Sequence, residues 1–410
     1  MAEKAAAEFG RSWHIVLAGW IGAIFGFNGF AYASFSVLMD PLAKAFGQGL
    51  PAISGWVTAY FVGNLTASPV LGYLADRIGA RRIILCAIPC FALAWALAST
   101  LGPAMWLFYT LGFLAGSAGT GASPLTYGRV INTWFSAGRG TALGIMSMGI
   151  GLSYLFGPRL VQHITDLYGW RSGFLLIAAA NLIPLPLSLA WMREKREAVR
   201  ATAVSVAVEA GYTVSQAVCQ PVFWLMGSAL ICYGLSAGGV TVNMVSFLSS
   251  SGLTRVAAAS YVSLLGVFSM AGRVVTGFII DRLHASSVCC AILIMEALAF
   301  CVFGAFSARF AWIAVPATGF AFGGEVCCIG YLVARFFGVK HYGVIQGCLT
   351  LISSIGVALG PPLFGLLRQH SGSYTLPFFV AGGIAFVAAG CFAISRTYPF
   401  FTAPPAPLRA

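Results

Sequence analysis

Three ionisable side chains stand where the surrounding sequence is apolar. Arg273 lies inside "SLLGVFSMAGRVVTGFIIDRL", residues 263 to 283; Glu325 lies inside "GFAFGGEVCCIGYLVARFF"; Glu296 sits in the middle of another apolar run. The chemistry open to them is binding and proton transfer. A guanidinium presents a planar fork of donors that matches a carboxylate, and a buried carboxyl near an arginine is a candidate for carrying a proton. No Walker loop, HExxH pair or nucleophile elbow accompanies them, so the chain reads as a non-enzyme, with no catalytic residue, cofactor or metal expected. The eleven cysteines lack paired CxxC spacing, and most, such as Cys289, Cys290, Cys327 and Cys328, read as small buried side chains.

The elements that hold these residues are membrane helices. Of 410 residues, 59% are hydrophobic and 8% charged, with a mean hydropathy of +0.88. Soluble domains carry about 25% charged residues. Windows of about 20 apolar residues predict twelve spans: 13–38, 53–75, 83–101, 104–131, 141–164, 171–192, 222–249, 257–280, 287–306, 310–336, 343–367 and 374–396. The first apolar run lacks the short core and cleavage site of a signal peptide and reads as a span. The longest polar interval begins with the mixed-charge run "REKREAVR". It divides the chain into a six-helix bundle over 1–192, a linker over 193–221 that is expected to lie partly helical on the membrane surface, and a second bundle over 222–410.

The formal charge of +12 is therefore a matter of topology, not of nucleic acid. Of 23 Lys and Arg residues, all but Arg273 fall near span ends, sixteen on the side of both termini and six on the other. That asymmetry predicts a multi-pass protein of the cell's inner (plasma) membrane with both termini and the linker cytoplasmic. The lipid bilayer is its expected partner, and the chain is expected to be monomeric.

The two halves repeat. "GYLADRIGARR" returns as "GFIIDRLHASS", so that Gly72 and Asp76 match Gly277 and Asp281 at an offset of 205. Gly144, Gly157 and Pro158 match Gly347, Gly360 and Pro361 at 203. A duplicated six-helix unit is the mark of a transporter built from repeats, with its site between them. Asp76, at a helix end, can accept hydrogen bonds from the N-terminus of a neighbouring helix. Arg77, Arg81 and Arg82 can pair with carboxylates of a partner helix. Together with Gly72, Gly79, Asp281 and Arg282 they form a candidate conformational latch; the plainer alternative is that the basic residues only fix the loop's side.

The stretch from Gly72 to Arg82 resembles the loop motif G-x-x-x-D-R-x-G-x-R-R of the major facilitator superfamily. The resemblance implies twelve transmembrane helices in two pseudo-symmetric six-helix bundles, an all-α integral membrane fold. "SMAGRVVTGFIIDRL" and "NTWFSAGRGTALGIMSMGIG" resemble, more narrowly, the monocarboxylate transporters and oxalate–formate exchangers. In those relatives an arginine of the eighth helix meets the substrate carboxylate, and Arg273 falls at that position. The chain departs from them in having Ser269 where proton-coupled members carry an aspartate, no lysine in the first span, and no basic residue before Arg368 in the eleventh. A single cation suits a monoanion better than a dianion.

Arg273 lies eight residues before Asp281, about 12 Å into a core about 30 Å thick. Its side chain leans toward the helix N-terminus, here the midplane. An arginine at a helix centre costs about 2.5–3.5 kcal/mol on insertion scales, so a cavity or a partner must compensate. Gly266, Ser269, Thr276 and Gly277 share its face and leave room. The readings are contact with a substrate carboxylate or a structural salt bridge. Glu325 reads as the arginine's resting partner, a proton-coupling carboxyl, or an interhelical hydrogen-bonding group; Glu296 reads as a structural hydrogen bond or a protonated carboxyl. Asn28, Tyr32, Ser123, Tyr127 and Asn243, on helices that the resemblance places around the cavity, are candidate substrate contacts or interhelical hydrogen bonds. The expected function is secondary transport of a small organic monocarboxylate by alternating access, with proton symport as an added reading. The alternatives are an oxalate/formate-type anion exchanger, a drug or sugar transporter on the same fold, and a non-transporting membrane sensor.

Overall fold

The computed structural model describes residues 2–135, 137–194, 211–338 and 340–395. The first span is Ala2–Phe25 followed by Phe30–Phe46, the second Leu50–Ile78 and the third Ala80–Ala98. The fourth is Met105–Thr120 plus Pro124–Trp134, the fifth Arg139–Tyr168, and the sixth Trp170–Asn181 plus Pro184–Trp191. A five-residue helix, Val214–Val218, precedes the seventh span, Pro221–Ser250. The eighth to twelfth are Arg255–Ile280, Ala285–Phe306, Ala311–Phe336, Tyr342–Ser371 and Thr375–Ile394. Among the described residues nine stretches are long and apolar enough to cross a membrane.

Each bundle has its own apolar core. Phe27, Trp56, Tyr60, Trp95 and Phe174 fill the first, and Phe223, Met226, Leu332 and Ile345 part of the second, and among the described residues no buried cluster mixes the two halves. Large apolar chains such as Leu93, Trp106, Trp224 and Ile394 lie exposed on the outside, the surface that hydrocarbon covers.

Three spans differ from the uniform helices that hydropathy predicts. The first is broken at 26–29 and the fourth at 121–123, and the breaks meet: the Phe27 amide donates to the Ala122 carbonyl at 3.4 Å, and the Tyr60 hydroxyl donates to the Phe27 carbonyl at 2.8 Å. A Cβ on Gly26 would run into that Ala122 carbonyl, which is why glycine stands there. Backbone freed inside a membrane must find partners within the protein. The sixth span is interrupted before Pro184, which lacks the amide a continuous helix needs. The first helix also starts well before residue 13, because a helix that continues into water adds charged residues, such as Lys4, that a hydropathy window rejects. Part of the expected linker, 195–210, lies outside the described residues. Its described end holds Val214–Val218, capped reciprocally by Thr213 and Gln216, and the Tyr212 amide donates to the Phe337 carbonyl at 2.9 Å.

The bundles touch through glycine. Gly72 of the second span crosses Gly343 of the eleventh, and Gly140 of the fifth crosses Gly277 of the eighth, each so closely that a Cβ would strike the opposite carbonyl. Gly140→Val is expected to destabilise the protein by about 1–3 kcal/mol, the cost of overpacking a tight contact. Gly383→Val, where nothing lies within 4 Å of the added carbon, should stay within about 0.5 kcal/mol. Thermal unfolding in detergent compares the two, and equal stability of both variants would show that the crossing is loose.

Candidate functional site

One end of the bundle pair is closed by carboxylates seated on helix N-termini. The Asp76 carboxylate accepts from the amides of Gly343 and Val344, each at 2.9 Å. The Asp281 carboxylate accepts from the Gly140 amide at 2.7 Å and from the Thr141 amide and hydroxyl at 2.8 Å each. First-turn amides have no partner inside their own helix and carry the positive end of its dipole, so a carboxylate from the other bundle completes them. Burial lifts the Asp281 carboxyl above its ordinary range, against the pull of the Thr141 and Gly140 hydrogen bonds and the Arg139 charge. Gly79, at φ +94°, makes the turn that starts the third span.

The motif's arginines do not pair with carboxylates of a partner helix as expected. Arg77 donates to the Tyr73 hydroxyl of its own helix at 3.1 Å, Arg81 to the Leu189 carbonyl at 2.8 Å, Arg282 stacks 3.4 Å from the Phe278 ring centre, and Arg82 is exposed. The partner of Asp76 is Arg129 of the fourth span. Arg129 also lies 3.8 Å from Glu194, which accepts from the Ala80 amide at 2.8 Å. Asp76 sits at its helix's end beside the fourth span, so a side chain from there reaches it, while arginines further along the loop point to the surface. The signal was present, since Arg129 falls inside the predicted fourth span.

Beyond this end, Gly144 of the fifth span lies so close to the Arg273 carbonyl that a Cβ there would strike it. Gly151 packs on Met270, and a Cβ on it would stand 3.3 Å from Arg273 Nη1. After that contact the fifth and eighth spans part. Gly266 has nothing within 4 Å of an added Cβ, and Tyr154 and Val267 are 46% and 53% exposed. Arg273 thus stands at the last close contact between these two spans, on the far side of Gly144 from the Asp281 carboxylate. It is 4% exposed, and neither Nε nor Nη1 has a hydrogen-bond partner. Its charge acts on Cys327, Tyr154, Tyr233 and Glu325, and the Cys327 thiol donates to its carbonyl at 3.3 Å. Among the described residues no carboxylate pairs with it.

Glu325 is 8% exposed, its Oε1 without a partner, and it feels the Arg273 charge without contacting it. The expected resting ion pair is not formed in this structure. Glu296 is fully buried and neither oxygen has a hydrogen-bond partner, so the structural hydrogen bond expected for it is also not formed. Tyr233, in the seventh span, lies in the field of both glutamates and of Arg273 with its hydroxyl unpartnered.

The family comparison bears on the whole of this architecture. The family model of the Major Facilitator Superfamily matches residues 19–347. The chain belongs to the major facilitator superfamily. Among curated proteins of the superfamily's monocarboxylate branch, it is 25% identical to monocarboxylate transporter 13 of Rattus norvegicus, over 96% of this chain and 90% of that one. It is 26% identical to monocarboxylate transporter 11 of Homo sapiens, over 89% and 80%. The crystal structure of the human organic anion transporter MFSD10 superposes with a TM-score of 0.72 at 16% identity, covering 92% of this chain and 99% of that one. This chain is a multi-pass transporter of that superfamily and not an enzyme.

The five other candidate contacts are spread over the first, fourth and seventh spans. Tyr32 is partly exposed and faces Tyr154 at 6.4 Å between ring centres. Asn28 is partly exposed in the break of the first span. Asn243 donates to the Gly239 carbonyl of its own helix at 2.9 Å. Ser123 is spent on capping, donating to the Thr120 carbonyl at 2.7 Å and accepting from the Leu125 amide at 3.3 Å. Tyr127 is fully buried against Gly22 in the packed core of the first bundle. Tyr154, Gly151 and Tyr233, which do border the arginine, carry no sequence signal beyond their type. Asp76→Ala is expected to cost more stability than Asp281→Ala. Both strand helix amides, about 1–3 kcal/mol, but the first also takes from the largely buried Arg129 its Asp76 partner and leaves it Glu194 at 3.8 Å, which adds to the loss. Thermal melts of both variants check the order, and equal losses would remove Arg129 from the latch.

Proposed function

We propose that the protein carries a small organic monocarboxylate across the membrane by alternating access, with Arg273 as the partner of the carboxylate. The observation that carries this reading is a guanidinium inside a membrane span, more than nine-tenths buried, with two of its nitrogens unpartnered. A buried charge without a partner is costly, and a carboxylate that fills the fork removes that cost while reading one ligand class. The printed names of the two monocarboxylate transporters and of the organic anion transporter support the same class of ligand. A single cation favours a monoanion.

On the charge asymmetry of the loops, the latch end faces the cytoplasm together with both termini, and the cavity opens outward. The chain divides for this purpose into moving bundles over 1–192 and 222–410, joined by 193–221. Occupancy of Arg273 lets them rock about the cavity, while the carboxylates of Asp76 and Asp281 leave the helix N-termini and water takes their place.

Proton coupling is assigned to Glu325, the buried carboxyl within the field of Arg273. A substrate anion entering beside Arg273 neutralises the arginine and makes a proton on Glu325 easier to hold, which links the two cargoes. Ser269, buried and unpartnered where an acidic residue would stand beside the arginine, favours a second reading, anion exchange without proton movement.

Arg273→Ala is expected to weaken carboxylate binding by about 2–5 kcal/mol, the range for truncating one partner of a buried charge pair. Titration calorimetry of purified protein measures it, and unchanged affinity would remove Arg273 from the site. Glu325→Gln in proteoliposomes is expected to abolish uphill uptake driven by a pH gradient while sparing exchange. Undiminished accumulation in that variant would contradict the coupling, and counterflow with no proton movement in the wild type would favour the exchanger.

A further inference from the structure

The proposed cavity above Arg273 has unlike walls. On the side of the eighth span stands Gly266, with nothing within 4 Å of an added Cβ, two turns from the guanidinium, while Ser269 between them is buried. On the side of the first bundle the wall is aromatic. Tyr32 meets Tyr154 edge to face at 6.4 Å and Phe61 edge to face at 5.2 Å. It stacks on Tyr60 at 6.4 Å, and Tyr60 stacks in turn on Phe27 at 4.5 Å. The rear rings, Tyr60 and Phe27, are core residues, 1% and 2% exposed. The front rings are not: Tyr32 and Phe61 are partly exposed, and Tyr154 is 46% exposed although it lies on the fifth span's face toward Arg273.

Tyr154 stands three residues, or one helical turn, beyond Gly151, and so on the same face and on the open side. Gly151 is the residue whose missing Cβ leaves room for Arg273 Nη1. Tyr154 lies within reach of the Arg273 charge, and its ring meets that of Tyr32. A carboxylate held by the guanidinium fork therefore directs its carbon body along the cavity, between the small-residue face and three ring edges or faces. A short aliphatic acid leaves that wall in water. A flat ring fills the slot and meets Tyr32, Phe61 and Tyr154 at the separations of 4.5–7 Å that aromatic pairs prefer.

Resting on the reading of Arg273 as the carboxylate partner, we propose that the substrate is a monocarboxylate with an aromatic ring as its body, and that Tyr32, Phe61 and Tyr154 are its specificity residues. Aromatic pairing beyond simple burial corresponds to about a 2- to 13-fold preference for a ring over a saturated body of equal size.

The test uses benzoate and cyclohexanecarboxylate, which share the carbon number and the charge, titrated into the full chain in detergent. Benzoate is expected to bind at least about threefold more tightly. The ratio should fall to about one in Tyr154→Leu and in Tyr32→Leu, and Tyr154→Phe should restore the preference lost in Tyr154→Leu. Because the readout is a ratio within one preparation, a smaller folded fraction does not change it. Equal affinities for the two acids, both lost in Arg273→Ala, would overturn the aromatic assignment and leave the carboxylate reading standing. A preference that persists in both leucine variants would overturn the wall. Binding of neither acid, or binding that survives Arg273→Ala, would overturn the carboxylate reading and this inference with it.

Discussion

A carboxylate from one bundle completing the first amides of a helix in the other is the interaction on which the closed end depends. It occurs twice, Asp76 on Gly343 and Val344, Asp281 on Gly140 and Thr141. It works only because the glycine crossings bring the backbones into contact beside it. Among the described residues each buried apolar cluster belongs to one half. Hydrogen bonds of this kind exchange readily for water, with a net contribution of about 1.5–3 kcal/mol each when a charge is involved. Such a joint is strong enough to favour one arrangement and weak enough to be given up, as a rocking transporter of the proposed kind requires.

The repeat makes one departure from it informative. Gly144 closes against the Arg273 carbonyl, and its repeat partner Gly347 closes against the Ser68 carbonyl, 2.6 Å from an added Cβ. Ser68 stands 205 residues before Arg273, the offset that relates Asp76 to Asp281. The same backbone contact therefore carries a serine in one half, its hydroxyl donating to the Asn64 carbonyl at 2.7 Å, and an unpartnered arginine in the other. Duplication supplies the shape of the cavity, and a single side chain supplies its charge. On the proposed reading the aromatic wall of the first bundle is the counterpart: one half reads the carboxylate, the other the carbon body.

Much of the fold was legible because membrane physics writes it in composition. Apolar windows located the twelve spans, and the repeat of "GYLADRIGARR" in "GFIIDRLHASS" located the two latches. The breaks at 26–29 and 121–123 were less legible, because both sit inside continuous apolar runs and are stabilised by contacts with each other rather than by local signals. In the site, Arg273 announced itself by its cost, and its small-residue face announced the space beside it. Asp76 accepts from a helix N-terminus as its position at a helix end suggests, but Arg77, Arg81 and Arg82 do not reach carboxylates of a partner helix, because sequence adjacency does not fix direction, and the added partner Arg129 comes from the packing of the fourth span. Ser123 and Tyr127 are polar groups on the expected helix, yet one caps a break and the other packs on Gly22. Tyr154 was invisible, since only the packing of the fifth span on the eighth brings an ordinary membrane tyrosine within reach of the Arg273 charge.

The account's central claim is that Arg273 holds the carboxylate of a monoanion in a cavity closed at the latch end. The most direct measurement is an experimental structure of the full chain with a bromine-labelled monocarboxylate, locating the bromine by anomalous scattering. The account predicts the carboxylate within about 3 Å of the guanidinium nitrogens, with the bromine displaced toward the open end, beside Tyr154. A guanidinium paired with Glu325 while the ligand sits elsewhere, or a bromine on the latch side of Gly144, would contradict it.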